Sequence, residues 1–320
     1  MTTAPLIELN DVSRWYGEVI GINRVTTTVK PGITGLLGPN GAGKSTMMNL
    51  ITGMIRPSTG GLTIYGSEPF NNPWLMERLG YCMQPDTFYE KFTGLDFIQS
   101  LLEVRGWMRS KARAAALHAL EQLQMTPHGN RRIQSYSKGM RQRTKVALAI
   151  AHNPEIIVLD EPMDGLDAVG RFEMTELIRR FGREGRNVVI SSHVLHEIEA
   201  MTNNILMISG GYLLAEGEVR EVRESLRQHP HKIIVRCSAP RAAAVFFLEQ
   251  PQTLSVKVEE NDHVIVVETA CLSSFNDSLN TLVLERSIDV SLVTVADENI
   301  TSIFGYLAAS GGGATTAQSR

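Results

Sequence analysis

The stretch Gly38-Pro39-Asn40-Gly41-Ala42-Gly43-Lys44-Ser45-Thr46 constrains this chain more than any other. An apolar run, Ile33 to Leu37, leads into it, and Met47, Met48, Leu50 and Ile51 follow at helical spacing. A strand that feeds a glycine-rich turn and opens a helix makes a cradle for phosphate. Small residues let backbone N–H groups close on oxygens, and the positive end of the helix faces the same anion. At this spacing Lys44 is expected between the β- and γ-phosphates, with the Ser45 hydroxyl on Mg²⁺. A phosphate cradle alone does not separate a kinase, a GTPase or a motor, so the rest of the chain must decide.

At 320 residues, 43% of them hydrophobic and 20% charged, the chain has ordinary globular composition and is long enough for two domains. A net charge of −3 gives no global basic field to recruit nucleic acid, and none is expected as a partner. Cys82, Cys237 and Cys271 lie far apart, without metal-ligand or redox-motif spacing, and read as reduced thiols in the cytosol. Residues 1–11 lack a basic region followed by an apolar one, and no apolar run approaches the ~18 residues that span a bilayer. Any membrane link is therefore expected to come through a partner.

Taken in order, Leu6 to Leu9 alternates as a half-buried strand, and Val19 to Val29 reads as a strand pair broken at Gly21. Between them stands Trp15-Tyr16-Gly17, whose aromatics suit either the core or an adenine ring, with core favoured on local pattern. The helix from Lys44 is expected to run to about Ile55, before Pro57. Strands follow at Leu62 to Gly66 and Leu79 to Met83, and Pro85 forces the chain out at Gln84. From about 86 to 151 the pattern turns helical, with Phe88, Tyr89, Phe92 and Phe97 near its start, and an inserted helical subdomain is expected. Ser137 caps the last of these helices. Ile156 to Leu159 and Asn187 to Ile190 are continuous apolar runs, the mark of parallel strands buried on both faces. Strand and helix alternate, so an α/β core is expected whose ligand edge collects the strand ends.

At that edge stand Asp160 and Glu161, after the first buried run, and Ser192-His193 after the second. Asp160 would hold Mg²⁺, directly or through water, while Glu161 orients or deprotonates an attacking water. His193 reaches toward a γ-phosphate, and Gln84 contacts metal or water through its amide. Ser137-Lys138-Gly139-Met140 adds a second anion site at a helix N-terminus. One cradle and one detached anion-binding helix per chain suggest two copies facing each other across nucleotide.

These motifs, in this order and spacing, resemble an ABC transporter nucleotide-binding domain over about residues 5–228. The resemblance rests on Asn40 to Thr46, Gln84, Tyr136 to Arg143, Leu159 to Pro162, Asp164-Gly165-Leu166-Asp167 and Ser192-His193. It assigns Walker A to 38–46, the Q-loop to Gln84, the signature to 136–140, Walker B to 156–160, the catalytic role to Glu161, the D-loop to 164–167 and the switch to His193. Tyr16, 28 residues before Lys44, matches the family's adenine-stacking aromatic, which reverses the local preference for core. Lys44, Gln84 and His193 then act beside Glu161, and Ser137, Gly139 and Asp167 join the nucleotide contacts. Two departures stand out: Lys138 and Met140 change the commonest Leu-Ser-Gly-Gly-Gln signature, and Asp164-Gly165 replaces the commonest Ser-Ala of the D-loop. The Tyr-Ser-Lys-Gly-Met form resembles the bacterial exporter branch with separate six-helix permeases.

The resemblance implies an ATPase using ATP and Mg²⁺, pairing with a second copy or a paralogous ATPase subunit. It also implies a polytopic membrane permease as partner, export as the direction, and a place in the cytoplasm on the inner face of the membrane. The alternative is a soluble ABC ATPase acting on ribosome or DNA. Those that act on ribosomes carry two cassettes and a charged linker, and those that act on DNA a long coiled coil or Cys-rich zinc element, none of which is legible here. From residue 229 the composition turns acidic, with 10 Asp/Glu against 5 Lys/Arg over 230–308. Strand, helix, strand, strand, helix, strand in that stretch is the ferredoxin-like split βαβ pattern, expected as an accessory or regulatory domain with no part in the chemistry. Glu259, Glu260 and Asp262 are expected at a hairpin turn. A final helix over about 297–307, with Ile300, Ile303, Phe304 and Leu307 on one stripe, and a disordered tail over 309–320 complete the expectation.

Overall fold

The computed structural model describes residues 6–219, 231–259, 263–286 and 288–295. Internal contacts divide the chain into two units, Met1–Val219 and Arg220–Arg320. The expected boundary at 228/229, Glu260 and Asp262, the helix over 297–307 with its stripe and the tail over 309–320 all lie outside the described residues.

The first unit holds two sheets around one core. An antiparallel sheet joins β1 (Ile7–Tyr16), β2 (Val19–Val29) and β4 (Thr59–Ile64) in the order β2-β1-β4. The larger sheet joins β3 (Ile33–Leu37), β5 (Leu79–Cys82), β6 (Ile156–Leu159), β7 (Asn187–Ser192), β8 (Asn204–Ser209) and β9 (Tyr212–Glu218) in the order β5-β6-β7-β3-β8-β9. Its strands are parallel except for β9, which runs antiparallel to β8. Ile156 to Leu159 are all fully buried, as their unbroken apolar run requires. Burying each such side chain contributes about 1.5–3 kcal/mol. Ile7, Val12, Ile22 and Val25 of the antiparallel sheet share this core with Leu36, Val158, Val189 and Ile208.

Helix α1 (Lys44–Ile51) follows the cradle, and α2 (Pro73–Arg78) precedes β5. The inserted segment folds as α3 (Gly94–Val104), α4 (Arg109–Gln122) and α5 (Lys138–Ile150). Thr93 caps α3, accepting from Asp96 N at 3.0 Å. Leu95, Ile98 and Leu102 of α3 and Ala112, Ala116 and Leu120 of α4 are buried at three-and-four spacing. Helices α6 (Ala168–Arg183) and α7 (Leu195–Glu199) flank β7.

Two local expectations are corrected. Gly21 does not break β2, which is one strand of 11 residues. A Cβ there would meet Thr46 Cγ2 at 2.8 Å and Tyr16 Cε2 at 2.9 Å, so the glycine serves close approach and not a turn. Helix α1 stops at Ile51, four residues short of the expected end, because Gly53 takes φ 70° and donates to Leu50 O.

The second unit, described by itself, runs β10 (His231–Cys237), α8 (Pro240–Leu248), β11 (Thr253–Glu259), β12 (Val264–Thr269), α9 (Leu272–Arg286) and β13 (Val290–Val295). Its antiparallel sheet has the order β11-β12-β10-β13. Alternate residues Ile233, Val235, Ile265 and Val267 are buried with Phe247 and Phe275, whose rings stack at 5.0 Å.

Candidate active site

The cradle is set by its backbone. Gly43 takes φ 109°, a left-handed conformation, and a Cβ there would lie 2.4 Å from Gly21 O. Helix α1 has no side-chain cap and no acidic residue in its first turn, which suits its N-terminal N–H groups to an anion. Gly38, Ala42 and Lys44 are buried, Pro39, Gly43, Ser45 and Thr46 half-buried, and Asn40 and Gly41 exposed. The Lys44 ammonium donates to Gly38 O at 2.7 Å and Pro39 O at 3.2 Å. It also stands 3.2 Å from Glu161 Oε1, with both side chains under a tenth exposed.

Asp160 and Glu161 leave the end of β6 buried. Glu161 takes φ 48°, a conformation disfavoured for a side-chain-bearing residue and held here from both sides. Its N–H donates to Ser191 Oγ at 2.8 Å, and its carbonyl accepts from Gln142 Nε2 at 3.2 Å. Ser191 in turn donates to Asp160 Oδ1 at 2.6 Å. The other oxygen, Asp160 Oδ2, is buried without a partner, an arrangement that suits a cation or its water. His193 Nδ1 lies 3.0 Å from Glu161 Oε2, while most of the ring is open to solvent.

Lys44, Asp160, Glu161 and His193, far apart in sequence, therefore meet at one sheet edge. Gln84 follows β5 at the same edge with an exposed side chain, and its carbonyl accepts from Lys145 Nζ at 2.7 Å. Tyr16 is 44% exposed, which excludes the core reading of its aromatic ring, and its edge lies beside Thr46 across Gly21.

Ser137 and Gly139 are placed elsewhere. Ser137 caps α5, accepting from Met140 N at 3.3 Å. A Cβ at Gly139 would meet Gly165 O at 3.2 Å, so the signature lies against the D-loop of its own chain. Asp167 caps α6 through Gly170 N at 2.8 Å. The residues that sequence reasoning missed are Ser191, Gln142 and Lys145, which orient the backbone and carboxylates of the site. A hydroxyl ending an otherwise apolar strand was the available signal for Ser191.

A family model described as ABC transporter matches residues 22–164. The bacitracin transport ATP-binding protein BcrA of Bacillus licheniformis is 30% identical over 310 residues, covering 96% of this chain and 98% of that protein. The ABC transporter ATP-binding protein NatA of Bacillus subtilis is 32% identical over 229 residues, 69% of this chain and 93% of that one. Among solved structures, a dimeric ATP-binding cassette in a post-hydrolysis state with ADP and Pi superposes with a TM-score of 0.61 at 24% identity, over 67% of this chain and 99% of that one. Similarity that spans nearly the whole length of BcrA, joined to a cradle and carboxylates at one sheet edge, places the chain in the family of ABC transporter ATP-binding proteins, which are ATPases.

Proposed function

We propose that this protein powers export through a separate polytopic membrane permease, working as a pair of ATPase subunits on the cytoplasmic face. The observation that carries the hydrolytic part is the line Lys44–Glu161–His193, with contacts of 3.2 Å and 3.0 Å. Lys44 and the N–H groups opening α1 bind the β- and γ-phosphates, and Tyr16 stacks on the adenine. Glu161 takes the proton of the attacking water or orients it, and His193, held by the same carboxylate, reaches the γ-phosphate. Mg²⁺ fits the Ser45 hydroxyl, the buried unpartnered oxygen of Asp160 and the Gln84 amide. Among the described residues no three His, Cys, Asp or Glu side chains form a metal group, and a Mg²⁺ held here would take its remaining ligands from water and from the nucleotide's phosphates. When bound, the cation neutralises charge on the transferring phosphoryl group.

Ser137 and Gly139 stand against their own D-loop and not the cradle, which favours their use on the nucleotide of a second copy or a paralogue. The dimeric cassette among the structural relatives supports that arrangement. Asp167, in the D-loop, would then lie at the same junction. No described helix is long and apolar enough to cross a membrane, in keeping with a separate permease. BcrA's description as a bacitracin transport protein supports a role in transport, and the signature form supports export as its direction. We read 229–308 as a ferredoxin-like accessory domain, supported by the strand and helix order of its described residues and by the absence of a glycine-rich loop from its sequence. Capture of a polytopic membrane protein from the membrane fraction by the tagged chain tests the reading. Cosedimentation with ribosomes and no such capture would overturn it.

A further inference from the structure

Lys145 is a buried cation on α5, directly before the apolar Val146, Ala147, Ala149 and Ile150, which are themselves buried. Only 9% of it is exposed, and a lysine is seldom buried that far without a dedicated partner. Its ammonium donates to Gln84 O at 2.7 Å and pairs with Asp86 Oδ1 at 3.1 Å. One turn earlier on the same helix, Gln142 holds Glu161 O. Arg141 grips Glu90 through both guanidinium nitrogens, at 2.6 and 2.9 Å. Helix α5 also lies hard against β5, since a Cβ at Gly80 would fall 2.0 Å from Ala149 O.

The main chain at Gln84 is thus fastened to the helix whose N-terminus carries Ser137. We propose that Lys145 is a positioning residue that makes Gln84 and the signature end of α5 move as one body. A change at Gln84 on γ-phosphate binding in one site then reorients the Ser137 end that serves the opposite site. The fastening is specific in chemistry: a loop carbonyl and a loop carboxylate are both satisfied by a cation delivered from a packed helix. This inference rests on the split site proposed above.

The test is ATP-driven dimerisation of Glu161→Gln, followed by light scattering, alone and with Lys145→Met or Lys145→Arg. ADP affinity and melting temperature are measured in parallel. Lys145→Met keeps the apolar stem and removes the cation. The expected result is at least a tenfold rise in the ATP concentration needed for dimerisation, ADP affinity within about twofold of the parent, and recovery of most of the loss by Lys145→Arg. If Lys145→Met fails to fold, Asp86→Asn replaces it, with an expected two- to fivefold rise. Dimerisation at unchanged ATP concentration overturns the coupling role and leaves the split site standing. Failure of Glu161→Gln itself to dimerise overturns the split site, and this inference with it.

Discussion

The Lys138 ammonium lies 2.9 Å from Asp164 Oδ2 and 3.0 Å from Oδ1, so the two departures from the commonest signature and D-loop are partners. The pair bridges the N-terminus of α5 to the loop that precedes α6, beside the contact of Gly139 with Gly165. Both side chains are more than half solvent-exposed or close to it, and such pairs contribute about 0–1 kcal/mol to stability. Asp164→Ala should leave the melting temperature nearly unchanged. Because the pair sets the position of one motif against the other, Lys138→Gly with Asp164→Ser should keep more ATPase activity than either single change. Purely additive losses in that double-mutant cycle would show that the contact has no functional coupling.

Lys44 shares its ammonium among two carbonyls and Glu161, so a polyphosphate must compete with the carboxylate for it. Glu161→Gln removes the competing charge. ADP binding to this variant, measured by calorimetry, should be two- to tenfold tighter, a gain of about 0.4–1.4 kcal/mol. Unchanged or weaker ADP binding would mean that the pair does not oppose nucleotide.

The glycine-rich turn before α1, the Asp160–Glu161 tandem and the place of His193 were legible because each follows an apolar run that reads as a strand. So were β6 and β7, whose runs are buried throughout. The hairpin of β8 and β9 was missed: β9 is half-exposed along Tyr212–Glu218 and shows no clean alternation. Helix α2 carries a cap and proline at Asn72-Pro73, yet its 6 residues are too few for a helical period. The pairing of Lys138 with Asp164, and the hold of Gln142 and Lys145 on strand-end carbonyls, exist only once distant segments meet. The aromatics after Gln84 divide in the same way: Phe97 on α3 enters the core, while Tyr89 and Phe92, in the non-helical segment before it, stay 63% and 39% exposed.

That division gives a transport prediction. Tyr89 packs at a tilt against Phe92 at 5.5 Å and edge-on to Phe97 at 6.2 Å, making an apolar surface just after Gln84 that would suit a short helix of the proposed permease. Tyr89→Ala should cut transport at least tenfold with ATPase activity of the isolated subunit within about twofold. Survival of both permease binding and transport would put the docking surface elsewhere.

Acid sensitivity is expected from His152. Burial, with Arg105 adding repulsion, pushes its imidazole down to about 4, although Nε2 donates to Leu79 O at 3.0 Å. As pH falls below about 6.5 the unfolded chain takes up a proton that the folded chain refuses until about 4. Stability is thus full above the unfolded value and declines through this window, by on the order of 3 kcal/mol from this group. Urea unfolding at pH 7 and pH 5 should show a smaller difference for His152→Gln than for the parent. An equal difference in both would assign the acid sensitivity to other groups.

The claim at the centre of the account is that each hydrolysis site is built from two chains, with Lys44 and Glu161 from one and Ser137 and Gly139 from the other. Light scattering on Glu161→Gln in saturating ATP and Mg²⁺ measures it directly. The expected result is a species of twice the 35.3 kDa chain mass, formed with ATP and lost with ADP, while turnover falls at least a hundredfold. A species that stays at the mass of one chain while binding ATP as tightly as the parent would contradict it.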